Sequence, residues 1–357
     1  MAVLGVIMAI PALISFYVLW VISMLLRPVF VISVGLLLWN FPSTVLKFKQ
    51  VVNTAAYMFL TNDKKYKKLP DPNMDDFKVK HERKTIIFVR HGESCWNDTF
   101  NAGERSKLDF LKGFLPGLLL ASLTEIYLAL TGRVDSWFYD SPLSEYGVSQ
   151  ITRLAEFLKR PPTTPEEKKY IDILNGTSST SSVLISSNLR RAISTICIGF
   201  RSRLTSSPSS KIIIHPSLQE ISRNPDTLSI TPPQTLVEPS WIEKRLYPNV
   251  VHSLQNQCDM TFHTGNKPLT SNGGLRMSEF CDFAFTLNED VLICGGHSLW
   301  FRSYFRQYLP SSSKHVAKVK KMVNGGCVKF EVLRAVKGGK GVYVIDEESI
   351  RVVYGGF

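Results

Sequence analysis

Short apolar runs rich in β-branched residues recur along the chain from residue 84 onward. Runs of this length and composition predict buried strands. Between them, apolar residues recur every three or four positions, which predicts helices with one buried face. Strands that alternate with helices are typical of an α/β fold. The predicted strands cover residues 85–89, 183–185, 211–214, 290–294 and 328–332, and two of the predicted helices cover residues 274–287 and 298–308.

The N-terminal residues follow a different pattern. Residues 3–26 contain no charged side chain. A helix of about 24 residues would be roughly 36 Å long, which is enough to cross a hydrocarbon core of about 30 Å. Pro11 predicts a kink in this transmembrane helix. A cleaved signal peptide is the competing interpretation, but the run is long for one, lacks a preceding basic region and offers no clear cleavage site.

A second apolar stretch, residues 29–41, follows Arg27 and Pro28 and is short for a full membrane span. We predict an interfacial helix beside a single anchor, with a two-helix hairpin as the alternative. Basic residues accumulate beyond this stretch, whereas none precedes the first one, so the positive-inside rule places the rest of the chain in the cytosol. These basic residues are Lys47, Lys49, Lys64, Lys65, Lys67 and Lys68.

A third apolar run lies at residues 110–130, between the first and second predicted strands. Such a run either packs as a buried helix or leaves an apolar surface exposed. An exposed surface near a membrane anchor would dip into the bilayer. The alternatives are a helix that caps the domain and a contact between copies of the chain.

Three predicted strands end in residues that could bind one anion. Residues 90–94 read Arg-His-Gly-Glu-Ser, residues 186–195 contain Arg190 and Arg191, and residues 295–298 read Gly-Gly-His-Ser. Ligands of open α/β sheets bind at the carboxyl ends of the strands, so we expect these groups to converge. A phosphate monoester carries nearly two negative charges, and transfer of its phosphoryl group requires nearby cations and a nucleophile.

The residue types suit phosphoryl transfer to histidine. The neutral imidazole of His91 could attack phosphorus through one ring nitrogen while the other is held by a hydrogen bond. Arg90 and Arg191 would bind phosphate oxygens, and His297 would donate to an equatorial oxygen. An alkoxide leaves poorly, so a carboxylic acid at Glu220 would accelerate its departure by a factor of about 10² to 10⁴.

These motifs resemble those of the histidine phosphatase superfamily, in the branch similar to cofactor-dependent phosphoglycerate mutases. The likeness spans about residues 84–335. Its motifs lie at residues 90–97, 140–147, 187–195, 218–220 and 296–298, in the order that the family shows. The resemblance implies a three-layer α/β sandwich, with a mostly parallel central sheet flanked by helices, and here an N-terminal transmembrane or interfacial helical segment precedes it.

The resemblance also implies roles for individual residues. His91 would be the phosphorylated nucleophile, and Glu220 and His297 would be the other catalytic residues. Arg90, Arg191 and Asn97 would bind the substrate phosphate, with Arg191 matching the family's arginine better than its neighbour. We expect Arg190 to be a surface or rim cation, Asp140 a turn residue and Ser144 a helix N-cap.

The domain organisation follows from these assignments. We predict a membrane anchor with interfacial helices at residues 1–60 and a basic, proline-containing linker at 61–83. The catalytic domain would occupy residues 84–357, with an apolar insertion at about 103–136 and a cap over the pocket at about 222–272. The insertion is longer than the family pattern needs between its first two motifs.

Composition narrows the functional classes. A formal net charge of +12 fits a phosphate-handling protein beside a membrane, and no nucleic-acid motif accompanies it. The six cysteines show no paired spacing, and the histidines form no zinc-type ligand set, so we expect no metal and no cofactor. Cys197 and Cys294 lie in apolar runs, which is typical of free thiols in a reducing compartment.

Three functions are compatible with the sequence. The first is a metal-independent phosphomonoester hydrolase at a membrane surface, acting through phosphohistidine on a phosphorylated small molecule, a phosphoprotein or a lipid headgroup. The second is a phosphoglycerate mutase-type phosphotransferase, although the stretch after Glu220 (Ile-Ser-Arg-Asn-Pro) lacks an evident match to the mutase substrate-binding segment. The third is a noncatalytic subunit of a membrane complex that retains the fold; an oligomer or a membrane-protein partner is also possible.

Overall fold

The computed structural model describes residues 2–79, 81–103, 105–207, 209–235, 239, 241–246 and 257–357. Its strands are β1 (Glu82–Arg90), β2 (Ser182–Ser186), β3 (Ile212–Ile214), β4 (Cys258–Asp259), β5 (Val291–Gly296), β6 (Cys327–Lys337) and β7 (Lys340–Tyr354). Its helices are α1 (Ala2–Trp39), α2 (Phe41–Leu60), α3 (Asp75–Val79), α4 (Cys95–Phe100), α5 (Lys107–Leu130), α6 (Glu145–Lys159), α7 (Pro165–Asn175), α8 (Arg190–Gly199), α9 (Arg201–Ser206), α10 (Trp241–Leu246), α11 (Gly273–Ala284) and α12 (Ser298–Tyr308).

The strands form one seven-stranded sheet in the order β4-β3-β2-β5-β1-β6-β7. The pairs from β4 to β1 are parallel, and β6 and β7 extend the sheet as an antiparallel hairpin. Parallel strands require crossovers, and helices supply them here. The predicted mostly parallel α/β sheet is confirmed.

Alternation along the central strand produces a three-layer structure. In β1, Ile86 and Phe88 point to one face and Ile87 and Val89 to the other, and all four are buried. The first face packs against α11 and α12, where the ring of Phe88 stacks on Phe301 with centroids 4.0 Å apart. The second face packs against α6, α7 and α8. A strand buried on both faces reads as a continuous apolar run, which explains the sequence signal.

The sheet places three loops beside one another. β5 lies between β2 and β1, and all three strands run in the same direction. The backbone N–H of His91 donates to the Gly296 carbonyl at 3.0 Å, and that of Ser187 donates to Gly295 at 2.9 Å. The residues that follow β1, β2 and β5 therefore share one edge of the sheet.

Two compact units can be distinguished, and each is described by itself. The first comprises Met1–Val51 and Ser122–Val134 and contains α1. In that unit Lys47 pairs with Glu125 at 3.0 Å, and the Asn40 amide donates to the Leu130 carbonyl at 3.1 Å. The second comprises Val52–Ala121 and Asp135–Phe357 and contains the sheet.

Helix α1 continues through Pro28, where the sequence predicted a break between two apolar stretches. Proline removes one backbone donor, and a long apolar helix tolerates that loss. By length and composition, Tyr17–Trp39 and Lys107–Leu130 could each cross a membrane, with mean hydropathies of 2.3 and 1.6.

Helix α5 is not the buried helix that one interpretation of the apolar insertion predicted. Its leucines are mostly exposed: Leu111 is 69% exposed, Leu115 70% and Leu119 61%. Of the predicted cap over residues 222–272, residues 236–238, 240 and 247–256 lie outside the described part of the chain.

Candidate active site

The two histidines that the sequence singled out lie side by side. His91 follows β1 and His297 follows β5, and because these strands are neighbours the ring centroids are 5.0 Å apart. Both side chains are buried, His91 with 3% of its surface exposed and His297 with none. The strand ends thus bring together residues that are far apart along the chain.

Hydrogen bonding sets the tautomer of His91. Its Nδ1 lies in close contact with the Gly92 carbonyl, which can only accept, so Nδ1 carries the proton. Nε2 is therefore the nitrogen that carries the lone pair, and it accepts a hydrogen bond from Arg191 Nε. It faces the guanidinium of Arg191, whose Nε lies 3.4 Å away. An imidazole held in this way presents one nucleophilic atom beside a fixed cation.

Glycine at position 92 is required by a close approach of backbone. A side chain there would collide with the carbonyl of Gly147, in the first turn of α6. Ser144 caps the same helix, since its hydroxyl accepts from the Gly147 N–H at 3.0 Å, and the predicted N-cap is confirmed. The loop that carries His91 is thus packed directly against the start of α6.

Arg191 lies in the first turn of α8 with 1% of its surface exposed. Besides His91, it contacts Asp226: Nη1 donates to the Asp226 carbonyl at 2.6 Å, and Nη2 lies 3.3 Å from the carboxylate oxygen Oδ2. A guanidinium at the positive end of a helix is well placed for an oxyanion.

Two further side chains of the site, Arg90 and His297, each have a buried nitrogen without a hydrogen-bond partner among the described residues. Arg90 donates through Nη1 to the Met322 carbonyl, while its buried Nε has no partner among the described residues. Burial, together with the charge of Arg191, lowers the pKa of Arg90 to about 10. His297 pairs through Nε2 with the Ser187 hydroxyl at 2.9 Å, and its buried Nδ1 is unpaired within the described chain.

Both imidazoles are held neutral. Burial lowers the pKa of His91 well below its ordinary value, and Arg191 and Arg90 lower it further. Burial, then Arg191 and His91, do the same to the pKa of His297. A buried cation without a counterion is costly, so neutral rings are the stable forms until an anion enters.

Glu220 is held at the start of α12. Its Oε1 accepts from the backbone N–H groups of Ile221 at 2.9 Å and Trp300 at 2.8 Å, and Oε2 accepts from Leu299 at 3.2 Å. Glu220 has 6% of its surface exposed. Its carboxylate lies at the positive end of α12, the helix that follows His297. These hydrogen bonds therefore hold Glu220 against the start of α12, directly after His297.

Asp226 belongs to this pocket although no sequence motif marked it. It is buried, contacts Arg191, and its Oδ1 has no hydrogen-bond partner among the described residues. Burial raises the pKa of Asp226 to about 6, against the opposing effect of Arg191. Asp226 comes 35 residues after Arg191, in a segment without periodic pattern, so only the fold reveals their contact.

A buried ionic network lies behind Glu220 and was also missed. Lys267 donates to the Asp63 carboxylate at 2.7 Å and to the Glu220 carbonyl at 2.7 Å. Arg276 binds the same Asp63 and the Gln219 carbonyl. Asp63 falls within the segment predicted as a linker, yet 2% of its side chain is exposed. Its neighbours in sequence are lysines and an asparagine, a pattern that does not indicate burial.

Arg190 and Asn97 differ from their predicted surroundings. Arg190, expected at the surface or rim, is buried, because its guanidinium pairs with Asp135 and donates to the Asp140 carbonyl at 2.8 Å. Asn97 lies on α4, where its Oδ1 accepts from Asn101 at 2.8 Å, and no hydrogen bond among the described residues joins it to either histidine. The structure therefore brings together five of the six predicted site residues: His91, His297, Arg90, Arg191 and Glu220.

This arrangement can bind a tetrahedral dianion and attack it. Two arginines, an unpaired imidazole nitrogen and the start of α8 surround a neutral nucleophilic nitrogen in a buried site. Fixed cations in a site that excludes water stabilise charge strongly and need no reorganisation during the reaction.

Comparisons with known proteins add the following. No family model matches the chain, and no curated protein matches its sequence. Solved structures align with it at low similarity. A mycobacterial glucosyl-3-phosphoglycerate phosphatase has 13% identity and a TM-score of 0.34 over 74% of this chain and 97% of its own. A putative alpha-ribazole-5'-P phosphatase from Escherichia coli has 11% identity and a TM-score of 0.33 over 73% and 95%.

A phosphoserine phosphatase from Entamoeba histolytica aligns with 13% identity and a TM-score of 0.31, over 74% of this chain and 97% of its own. All three carry names of phosphatases. At these identities and scores the likeness assigns neither a family nor a substrate to this chain.

Proposed function

We propose that the protein is a phosphomonoester hydrolase that acts through a phosphohistidine at His91. The observation that carries the proposal is the environment of His91 Nε2, a neutral nitrogen 3.4 Å from the Arg191 guanidinium and beside the ring of His297. A nucleophile whose neighbours are cations and hydrogen-bond donors suits an anionic electrophile, and a phosphate dianion is the common one in biology.

The reaction has two steps. In the first, the electron pair of Nε2 forms a bond to phosphorus while the bond to the leaving-group oxygen breaks, and Arg90, Arg191 and His297 hold the equatorial oxygens. Glu220 gives its proton to the leaving oxygen. In the second, Glu220 takes a proton from water, the water oxygen bonds to phosphorus, and the bond to Nε2 breaks. Inorganic phosphate is then released, and His91 returns to its neutral form.

Cationic side chains supply the charge stabilisation in this scheme, so it requires neither a metal nor a cofactor. Asp226 is a second acid of the pocket, and its carboxyl retains a proton more readily than an ordinary aspartate does. Asn97 remains a predicted phosphate ligand: its Oδ1 accepts from Asn101, and its Nδ2 would donate to a phosphate oxygen.

The hydrolase is proposed to work at a membrane surface, with its substrate a small molecule, a phosphoprotein or a lipid headgroup. Three features support this location: the apolar helix segment Tyr17–Trp39, the exposed leucines of α5, and the lysines that follow the first apolar stretches. The same lysines favour a cytosolic catalytic domain.

The test uses the full chain in detergent micelles with p-nitrophenyl phosphate and a chelator. We expect the wild type to release phosphate and His91→Ala to lose this activity by a factor of about 10³ or more. Lys169→Gln, an exposed change on α7, should leave the rate unchanged. Equal rates in wild type and His91→Ala would refute the proposal.

A second assay separates hydrolysis from transfer. With 3-phosphoglycerate and a bisphosphoglycerate primer, a hydrolase releases phosphate, whereas a mutase-type transferase produces the 2-phospho isomer. No turnover of any phosphomonoester in a broad panel would instead indicate the noncatalytic role.

A further inference from the structure

A basic groove opens beside Glu220, outside the pocket that holds the two histidines. It has a volume of about 560 Å³, and its cations come from the segment after α2 and from α12. Tyr66, Ile221 and Leu299 form its apolar walls. We call this feature the basic groove; its charged lining residues are Lys64, Lys68, Arg302, Arg306 and Lys318.

The groove is continuous with the proposed catalytic carboxylate. Ile221 and Leu299 line it, and the backbone N–H groups of these same two residues donate to Glu220, at 2.9 and 3.2 Å. In an in-line displacement the leaving group departs on the side opposite the nucleophile, and the proton donor lies on that side. The groove therefore begins where the leaving group of the substrate would be.

Some of the groove's cations already have hydrogen-bond or ion-pair partners within the protein. Lys68 pairs with Asp71 at 2.8 Å, and Lys318 donates to three backbone carbonyls, those of Pro310, Ser311 and Ser313. Such contacts are typical of structural lysines.

Others lack an acidic partner among the described residues. Lys64 has no hydrogen bond there, and Arg302 has only a 3.5 Å contact with the Val319 carbonyl. Arg306 lies four residues after Arg302 on α12 and bonds the Lys318 carbonyl. Like charges at this helical spacing repel each other. Burial, followed by the charge of Arg306, lowers the pKa of Arg302.

Lys321 connects these cations to the phosphate site. Partial burial lowers its pKa, and the charges of Arg90, Arg302 and Lys64 lower it further, so each of these three cations acts on Lys321. Glu220 is the acidic group that opposes them. Positive charge thus extends from the catalytic pocket along the groove without a matching set of carboxylates.

We infer that the basic groove binds a second phosphate group, carried by the leaving group of the substrate. The preferred substrates are therefore phosphomonoesters of an alcohol that itself bears phosphate. The inference rests on the proposed function, because it uses the same site and the same direction of departure. The apolar walls would contact the carbon skeleton between the two phosphates, and Lys64 and Arg302 would bind the distal one.

The test compares two esters with the same reacting group, 3-hydroxypropyl phosphate and propane-1,3-diyl bisphosphate, using the full chain in detergent micelles. Charge-assisted contacts to the second phosphate should raise kcat/KM for the bisphosphate by about tenfold or more. In Lys64→Gln/Arg302→Gln the ratio of the two kcat/KM values should fall by about fivefold or more. The control Lys169→Gln/Lys340→Gln removes two exposed cations elsewhere and should keep the wild-type ratio.

The outcomes separate the two proposals. Equal kcat/KM values for both esters in the wild type, or an unchanged ratio in Lys64→Gln/Arg302→Gln, would overturn the groove and leave the phosphatase proposal intact. Because any residual turnover of 3-hydroxypropyl phosphate reports a folded variant, a misfolded protein is recognised. A wild type that turns over neither ester would overturn the proposed function, and the inference would fall with it.

A second pair of substrates identifies the source of the second anion. Inositol 1,4-bisphosphate is soluble, whereas phosphatidylinositol 4-phosphate in phosphatidylcholine vesicles presents its second anion as part of a lipid. Either substrate, if favoured over inositol 4-phosphate, supports the groove. The faster of the two tells whether the leaving group is a free molecule or a lipid headgroup.

Discussion

Burial determines the chemistry of the individual site residues. His91 and His297 are neutral because the interior and the neighbouring arginines disfavour their charged forms. Arg191 stays close to both Asp226 and His91. A neutral nucleophile beside permanent cations is prepared for an anion before the anion arrives, which is the arrangement that lowers reorganisation costs in catalysis.

Replacing the adjacent residues Arg190 and Arg191 of α8 by alanine should have different effects on activity and stability. Arg191→Ala should lower kcat/KM for p-nitrophenyl phosphate by a factor of about 10² to 10³, because it deletes a donor to the transferred group. Its effect on stability should be small, since Asp226 can take up a proton. Arg190→Ala breaks the buried pair with Asp135 and should destabilise the protein by about 3–5 kcal/mol.

Thermal unfolding and steady-state kinetics on the two variants measure both effects. The assignment of roles would be wrong if Arg190→Ala kept the wild-type Tm while Arg191→Ala strongly lowered it.

Asp226 should make anion binding depend on pH. Sulfate is a dianion throughout the range from pH 5 to 8, and its binding beside Asp226 favours the protonated carboxyl. Since the pKa of Asp226 is about 6, sulfate should inhibit well below pH 6 and ever less well above it, by up to about tenfold per pH unit. The inhibition constant of sulfate against p-nitrophenyl phosphate measures this.

Asp226→Asn should flatten that dependence, because the amide does not titrate. An identical slope in the variant would assign the pH dependence to other groups, such as the two histidines.

At the scale of elements, strand order brings the site together. His91, Ser187 and His297 each follow one of three adjacent parallel strands, so the sheet alone fixes their spacing. Glu220 is different, because it comes from the irregular segment after β3. Its position depends on the start of α12 and on the buried group formed by Asp63, Lys267 and Arg276.

Asp63→Asn should therefore affect both stability and catalysis. The variant leaves two buried cations without their anion, at a cost of about 3–5 kcal/mol. Although burial opposes ionisation, Lys267 and Arg276 lower the pKa of Asp63, so its contribution is present above the ordinary carboxyl pKa near 4 and is lost as the pH falls below it. We also expect kcat to fall, because the segment carrying Glu220 loses its support.

Asp71→Asn is the matched control from the same segment. Its exposed pair with Lys68 should contribute less than about 1 kcal/mol. Similar losses of Tm in both variants would show that the buried network does not hold this region.

Several regular elements were predictable, whereas β4, β7 and the irregular segments were not predicted. The strand after residue 84 and the helix from Ser298 to Tyr308 follow from local apolar patterns, and the structure confirms both. Arg190 and Asp63 are buried against partners 50 or more positions away, and Asp226 lies in a segment without periodicity, so no local pattern could indicate their burial. The roles of the predicted site residues remain predictions.

At the scale of the whole molecule, the chain combines two long apolar helices with the seven-stranded sheet. Helix α5 exposes leucines at positions three or four apart, among them Leu111, Leu115 and Leu119. Soluble proteins rarely expose apolar surface of this extent without a partner. We expect the lipid bilayer to be that partner, which would place the proposed active site close to membrane-borne or membrane-proximal substrates.

A spin label should locate α5 in the membrane. In the full chain reconstituted into vesicles, a nitroxide on Leu115→Cys should be accessible to oxygen and protected from a water-soluble nickel complex. The same label on Lys340→Cys, the exposed first residue of β7, should show the opposite preference. Equal access of the nickel complex at both sites would contradict insertion of α5 and favour a contact between copies.

The most direct test of the central claim is to trap the covalent intermediate. The full chain is mixed with p-nitrophenyl phosphate, quenched within milliseconds in alkali and digested, and the phosphorylated peptide is identified by mass spectrometry. We predict an acid-labile phosphoryl group on the imidazole of His91, which is absent from His91→Ala. Turnover without phosphate at His91, or with an acid-stable phosphate elsewhere, would contradict the mechanism.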